Sequence, residues 1–160
     1  MTTPRQKTKK TSDSSGIHLW LVLWKATQSL EAHSSRSIRR FGMGQSDFGV
    51  LEALLHRGPM SVKDLGAKVL LTSGSMTAAV DRLAARGLVT RQDAKGDRRS
   101  RIVHLTDAGR QLIEEVFAEH SGAMEEAVAG FPAEERPALI DALRRLGRAA
   151  ENGLAEKGKE

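Results

Sequence analysis

Apolar residues recur along this chain at spacings of three and four, interrupted by glycine, proline and short polar runs, a rhythm that predicts a mostly helical protein. From Gly16 to about Arg40, the positions Ile17, Trp20, Leu21, Trp24, Thr27 and Ile38 fit one helical stripe, with a more polar stretch between Gln28 and Ser37. Gly42 and Gly44 break it, and Ser46 caps a second helix through Phe48, Val50, Leu51, Leu54 and Leu55 that Gly58-Pro59 stops. Ser61 with Asp64 forms a capping-box variant that opens a short helix from Val62 to Val69. Thr72 and Ser73 are cap candidates for the next helix, whose apolar positions are Met76, Ala79, Val80 and Leu83 and whose end is marked by Gly87. Thr106 and Asp107 cap a long helix carrying Leu112, Ile113, Val116, Phe117, His120, Met124 and Val128, and Phe131-Pro132 closes it. A last helix from about Ala133 sets Leu139, Ile140, Leu143, Leu146, Ala150 and Leu154 on one face and is heavily charged on the other.

One stretch departs from the helical period. Leu88, Val89 and Thr90, then Ile102, Val103, His104 and Leu105, flank the turn-forming run Asp93-Ala94-Lys95-Gly96-Asp97 and predict a hairpin. The two preceding helices are joined by the tight Leu70-Leu71-Thr72-Ser73 link, so the order predicts a helix-turn-helix followed by a wing. Ser73, Ser75, Thr77 and Arg82 place hydroxyls and a guanidinium on the polar face of the second of these helices. Such a face suits a helix that sits deep in a major groove and reaches base edges. Lys95, Arg98, Arg99 and Arg101 cluster at or beside the hairpin tip, where phosphates or a narrow minor groove would stabilise them. In isolation such a tip reads as a solvated basic turn. Directly after a recognition-type helix, it reads as part of a nucleic-acid surface.

Charge sharpens this picture. Residues 57–104 carry 10 Lys/Arg against 4 Asp/Glu, whereas residues 105–160 carry 7 against 12, so the far end would turn away from phosphates. The chain of 160 residues divides into a disordered basic tail over 1–15, a first helix for dimerisation over 16–44, a winged helix-turn-helix over 45–106 and C-terminal dimerisation helices over 107–156. The fold class expected is mainly α with a small β-hairpin wing. The winged core of about 65 residues closes on itself, so the terminal amphipathic helices need a partner, and a second copy of the chain is the simplest one. With no cysteine, disulfides and thiol chemistry are excluded. No apolar run approaches a membrane span and no secretory signal is evident, so a cytoplasmic protein is expected. Glu52 with His56, or His104 with His120, could chelate a metal, but the five histidines are scattered without metal-site spacing, and neither metal nor cofactor is expected. No nucleophile elbow, phosphate loop or calcium loop occurs, so the chain is not read as an enzyme.

The segments FGVLEALLHRGPMSVKDLGAKVLLTSGSMTAAVDRLAARGLV and KGDRRSRIVHLTDAGRQLIEEVF, above all Asp97-Arg98-Arg99 followed by Leu105-Thr106-Asp107-Ala108-Gly109, resemble the MarR family of bacterial transcription regulators over about residues 17–154. The resemblance implies a homodimer in the bacterial or archaeal cytoplasm, associated with the nucleoid, that binds pseudo-palindromic double-stranded DNA and represses transcription. It makes Arg99 the wing side chain inserted in the minor groove, with Asp97 holding the loop by pairing to a neighbouring arginine, and leaves Lys95, Arg98 and Arg101 as further DNA contacts of the wing. Ser73, Ser75, Met76 and Thr77, preceded by Thr72, match the start of the family's major-groove helix, and Arg82 lies further along it. Ser46 and Lys63 become phosphate candidates.

Family members commonly respond to small molecules, often phenolic or other aromatic anions, in a cleft between dimerisation helices and reading head. Trp20, Trp24, Phe48, His56, Phe117 and His120 offer an aromatic wall for such a ligand, with both tryptophans as dimer-interface core the alternative. A urate-responsive branch pairs a first-helix tryptophan with an acidic residue on the second helix; Gly49 stands there in this chain and counts against urate. A nonspecific or architectural DNA-binding protein without ligand response is the competing function, although hydroxyl side chains on the recognition helix suit it less well than Lys and Arg would.

Overall fold

The structure is a computed structural model and describes residues 14–69, 73–94 and 97–157, with side chains described over 14–69, 74–93 and 101–155. Residues 1–13 of the tail expected over 1–15, and residues 70–72 of the link, lie outside the described residues. Among the described residues, six α-helices and three strands follow in the order α1 (Gly16–Arg39), α2 (Gln45–Arg57), β1 (Met60–Ser61), α3 (Val62–Val69), α4 (Ser73–Ala85), β2 (Val89–Ala94), β3 (Asp97–Leu105), α5 (Asp107–Ala127) and α6 (Arg136–Lys157), with a 3-10 turn at Ala133–Glu135. The fold is mainly helical with a small antiparallel sheet, as the periodicity predicts.

Local chemistry sets most boundaries. Ser15 caps α1 by accepting the His18 N–H, and Thr106 caps α5 by accepting the Gly109 N–H. Ser61 Oγ accepts the Asp64 N–H at 3.1 Å, the capping bond expected at the start of α3, and donates to the Asp64 carboxylate at 2.7 Å in place of the backbone bond of a full capping box. Gly58 stops α2 and Gly87 follows α4, both with positive φ, at 78° and 69°. The cap of α2 differs from expectation: it is Gly44, with no side-chain cap bond, and Ser46 lies inside the first turn. Helix α6 begins later than expected, after the 3-10 turn, with Pro137 in its first turn, where a missing N–H has no intrahelical partner to lose.

The core gathers the predicted stripes. Phe48, Val50, Leu51 and Leu54 of α2, Leu65 of α3, Met76, Ala79, Val80 and Leu83 of α4, Leu88, Val89 and Val103 around the sheet, Ile113 and Val116 of α5 and Ile38 of α1 are all buried. The sheet order is β1-β3-β2. The hairpin strands run further than the sequence suggests, to Ala94 on one side and from Asp97 on the other, with an irregularity between Asp93 and Ala94. Strand β1 has no counterpart in the sequence reading; its two residues pair with Val103 and Ile102.

Gly109 explains the start of α5. A Cβ there would lie 1.9 Å from the Leu88 carbonyl oxygen. The absence of a side chain lets the helix approach the backbone that enters β2, and Thr106 seals the junction by donating its hydroxyl to the Gly87 carbonyl at 2.7 Å and its N–H to Leu88 at 3.1 Å.

The terminal helices are different. In α1 only Ser37 and Ile38 are buried, whereas Ile17, Leu19, Trp20, Leu21, Val22, Trp24 and Leu30 are exposed. Leu139, Ile140, Leu143 and Leu154 of α6 are exposed as well. No helix among the described residues is long and apolar enough to cross a membrane.

Candidate nucleic-acid interface

Helices α3 and α4 and the β2–β3 hairpin are consecutive in the chain and share one core, so the recognition helix and wing form a single body. On α4, Ser75 and Thr77 are exposed while Met76, Ala79, Val80 and Leu83 face inward. Met76 is 0% exposed, which removes it from the groove-contacting set: its place in the three-and-four apolar rhythm assigns it to the core. Lys63 is exposed in the first turn of α3 and Arg101 is exposed on β3, opposite Asp93 of β2. Ser73, Asp97, Arg98 and Arg99 contribute backbone to α4 and β3; their side chains, and all of Thr72 and Lys95, lie outside the described residues.

Arg82 does not point a lone guanidinium outward. Its Nη2 donates to Asp47 Oδ1 at 2.6 Å and to Ser46 Oγ at 3.1 Å, tying α4 to the first turn of α2. The hydrogen bond to Asp47, followed by that carboxylate's charge, raises the Arg82 pKa above its ordinary value. Asp47 is buried, so Arg82 supplies the charge that makes this burial tolerable. Ser46, expected as a phosphate contact, is engaged in the same clamp. Sequence reasoning missed Asp47 because its partner lies 35 residues away and an acid in a helix's first turn is ordinary on its own. A second brace, also missed, joins Arg91 of β2 to Asp81 of α4 at 2.6 Å.

The six residues proposed as a ligand wall separate into two groups. Phe48 and His56 of α2 meet His120 and Phe117 of α5, each ring pair with centroids 4.7 Å apart. Trp20 and Trp24 stand apart, 58% and 48% exposed, stacked on each other at 6.0 Å. One helical turn separates them, which favours that stack and keeps both on the solvent side of α1. Phe48 and His56 also border a cleft of about 660 Å³ between α1, α2 and α3, whose polar rim includes Glu31, Gln45, Glu52, Arg57 and Lys68. The tryptophans do not line it. Gly49 does: a Cβ there would lie 2.4 Å from Val69 Cγ1, so the Val69 side chain would have to shift to admit even an alanine at this position.

His120 links this aromatic group to α1. The Ser37 hydroxyl donates its one proton to the Ser34 carbonyl at 2.8 Å, so at 2.9 Å it accepts from His120 Nδ1–H, which assigns the tautomer. Burial holds the His120 pKa below its ordinary value, opposed by the charge of Glu52. Among the described residues no group of three or more potential ligands could hold a metal ion.

Comparison with known proteins agrees with this architecture. Residues 41–100 match the MarR family. The regulator MhqR of Bacillus subtilis, an HTH-type transcriptional regulator, is 32% identical over 131 residues, 82% of this chain and 90% of that protein. Sco3205, a MarR family transcriptional regulator from Streptomyces coelicolor solved in complex with DNA, superposes with a TM-score of 0.77 at 25% identity, covering 86% of this chain and 92% of that one. BpsR of Bordetella bronchiseptica, studied for the regulation of its DNA binding by 6-hydroxynicotinic acid, gives a TM-score of 0.74 at 27% identity over 81% of this chain and 98% of its own. With its winged helix-turn-helix and these relatives, the chain belongs to the MarR family of DNA-binding transcriptional regulators.

Proposed function

We propose that this protein is a homodimeric repressor that binds pseudo-palindromic duplex DNA in the cytoplasm and is released by a small aromatic or phenolic ligand. The observation that carries this reading is the contrast between two surfaces. Residues 45–106 share one core with Ile38 of α1 and with Ile113 and Val116 of α5, while most of the α1 stripe and that of α6 stay bare in the single chain, with Ile17, Trp20, Leu139 and Ile140 among the exposed residues. Burying such stripes against a second copy stabilises by about 25 cal/mol per Å² of apolar surface, and two-fold self-pairing is the commonest way soluble chains do so. Two-fold pairing then presents two copies of α4 to half-sites about 34 Å apart. In this proposal residues 16–44 and 107–156 form the dimerisation region, Trp20 and Trp24 belong to its interface, and residues 45–106 meet DNA.

Ser75 and Thr77 contact base edges from α4 in the major groove, with Ser73 and Thr72 at its start; Lys63 contacts phosphate. Arg98, Arg99, Arg101 and Lys95 meet phosphates and the minor groove from the wing, with Asp97 holding an arginine in place. The cleft between α1, α2 and α3 suits the ligand: its volume lies in the usual range for small-molecule sites, and Phe48 and His56 give it aromatic lining beside Arg57 and Lys68. The DNA-linked response of BpsR to an aromatic acid supports this class of effector by analogy. Sedimentation at micromolar concentration tests the assembly, and a predominant monomer rejects it. Adding salicylate to a preformed protein–DNA complex tests release. A salicylate-bound protein that keeps its DNA rejects ligand-induced release by this probe.

A further inference from the structure

The recognition helix α4 carries one acidic residue in its sequence SGSMTAAVDRLAA, and that residue, Asp81, is exposed. A carboxylate on a helix that approaches a polyanion weakens binding through repulsion. Its pairing gives it a different role. Arg91 Nη2 of β2 donates to Asp81 Oδ1 at 2.6 Å, and the Arg91 side chain is only 24% exposed. Arg91 lies opposite the fully buried Val103 in the hairpin, on a part of the wing fixed to the core. The next residue of α4, Arg82, reaches to Asp47 of α2. Adjacent side chains diverge by about 100° around a helix axis, so the two ties restrain both the rotation of α4 and its angle to the wing.

We infer that Asp81 and Arg91 are positioning residues of the DNA-reading surface. The pair locks wing and recognition helix into one register, so affinity for DNA depends on a carboxylate that does not itself bind DNA. The inference rests on α4 and the hairpin being the surface that meets DNA.

The sign of one substitution separates positioning from simple electrostatics. Asp81→Asn removes a negative charge, so a carboxylate that merely faced the phosphates would, once neutralised, give tighter binding. Positioning gives the opposite result, binding about three- to fivefold weaker, as expected for losing one partly covered ion pair. The test uses the full chain and the tightest duplex recovered by selection from random-sequence DNA. Asp81→Asn and Arg91→Gln each weaken binding, and the double variant loses no more than the worse single variant, because both remove the same contact. Asp81→Glu retains most of the affinity. The slope of log K against log salt stays unchanged in Asp81→Asn, since no phosphate contact is lost. Equal or tighter binding by a folded Asp81→Asn protein, or losses that add in the double variant, overturns the inference. If selection returns no preferred duplex, sequence-specific regulation fails as a reading. The pairing remains testable without DNA: amides of β2 exchange hydrogen faster in Asp81→Asn, and unchanged exchange there also overturns it.

Discussion

Replacing Gly109 by alanine should destabilise the protein far more than an ordinary glycine-to-alanine change in a helix. The added Cβ would sit 1.9 Å from the Leu88 oxygen and 2.8 Å from its carbonyl carbon, where ordinary contact begins at 3.4 Å, so the carbonyl must retreat by about 1.5 Å (3.4 less 1.9). That carbonyl accepts the Thr106 N–H at 3.1 Å, and the Leu88 N–H donates to Leu83 at 3.0 Å, so the retreat breaks at least one bond at the junction of α4, β2 and α5. Overpacking of this kind costs about 1–3 kcal/mol. A lost hydrogen bond with a stranded carbonyl adds about 1–2 kcal/mol. Alanine's helix propensity returns at most about 1 kcal/mol. The net loss of about 3 kcal/mol corresponds to a fall in Tm of roughly 6–12 °C for a chain of this size. Circular dichroism during heating, at one fixed protein concentration because assembly is linked to folding, measures it. Gly122→Ala on the same helix is the control, since a Cβ there meets nothing within 4 Å and should be neutral or stabilising by up to about 1 kcal/mol. A Gly109→Ala protein as stable as the parent would refute the close-approach argument.

Three further outcomes concern other positions. The folded protein binds fewer protons at His120 than the unfolded chain, so His120 contributes stability that is present above the ordinary histidine pKa of about 6.5 and is lost as pH falls towards its depressed folded value. Tm measured from pH 7.5 to about 5 should fall less in His120→Gln than in the parent, and parallel curves would remove His120 from the balance. Gly49→Ala should loosen the α2–α3 packing because its Cβ would overlap Val69 Cγ1, and Val69→Ala in the same chain should recover most of the loss; strictly additive unfolding free energies would argue against that contact. Arg99→Ala should weaken binding to a selected duplex about tenfold while sedimentation still shows the parent's assembly state, whereas unchanged affinity at moderate salt would exclude Arg99 from the interface.

The helical body was largely legible because its signals are local. The stripe Met76, Ala79, Val80, Leu83 and the caps at Ser61 and Thr106 depend on residues within a turn or two, and the structure retains them. The family pattern placed Met76 in the groove while its own periodicity placed it in the core, and packing decided for periodicity. The features that were not legible depend on distant partners. Strand β1 has two residues, too short for any alternation, and exists because β3 offers it an edge. Arg82 reads as a groove contact from its helix alone, and only the fold brings Asp47 and Ser46 to it. The aromatic wall was half legible: the α2 and α5 spacings bring Phe48, His56, Phe117 and His120 together, but nothing local says that Trp20 and Trp24 lie beyond their reach. The wing charges Lys95, Arg98 and Arg99 rest on the sequence alone.

The central claim is sequence-specific recognition of duplex DNA by α4 and the wing, and titration across several salt concentrations tests it most directly. The purified protein is titrated against the tightest duplex obtained by selection and against a shuffled duplex of the same composition. The account predicts a preference of about a thousandfold or more that persists as salt weakens both complexes. Equal affinity for both duplexes, falling steeply and in parallel with salt, would contradict it and identify a protein that coats DNA by charge.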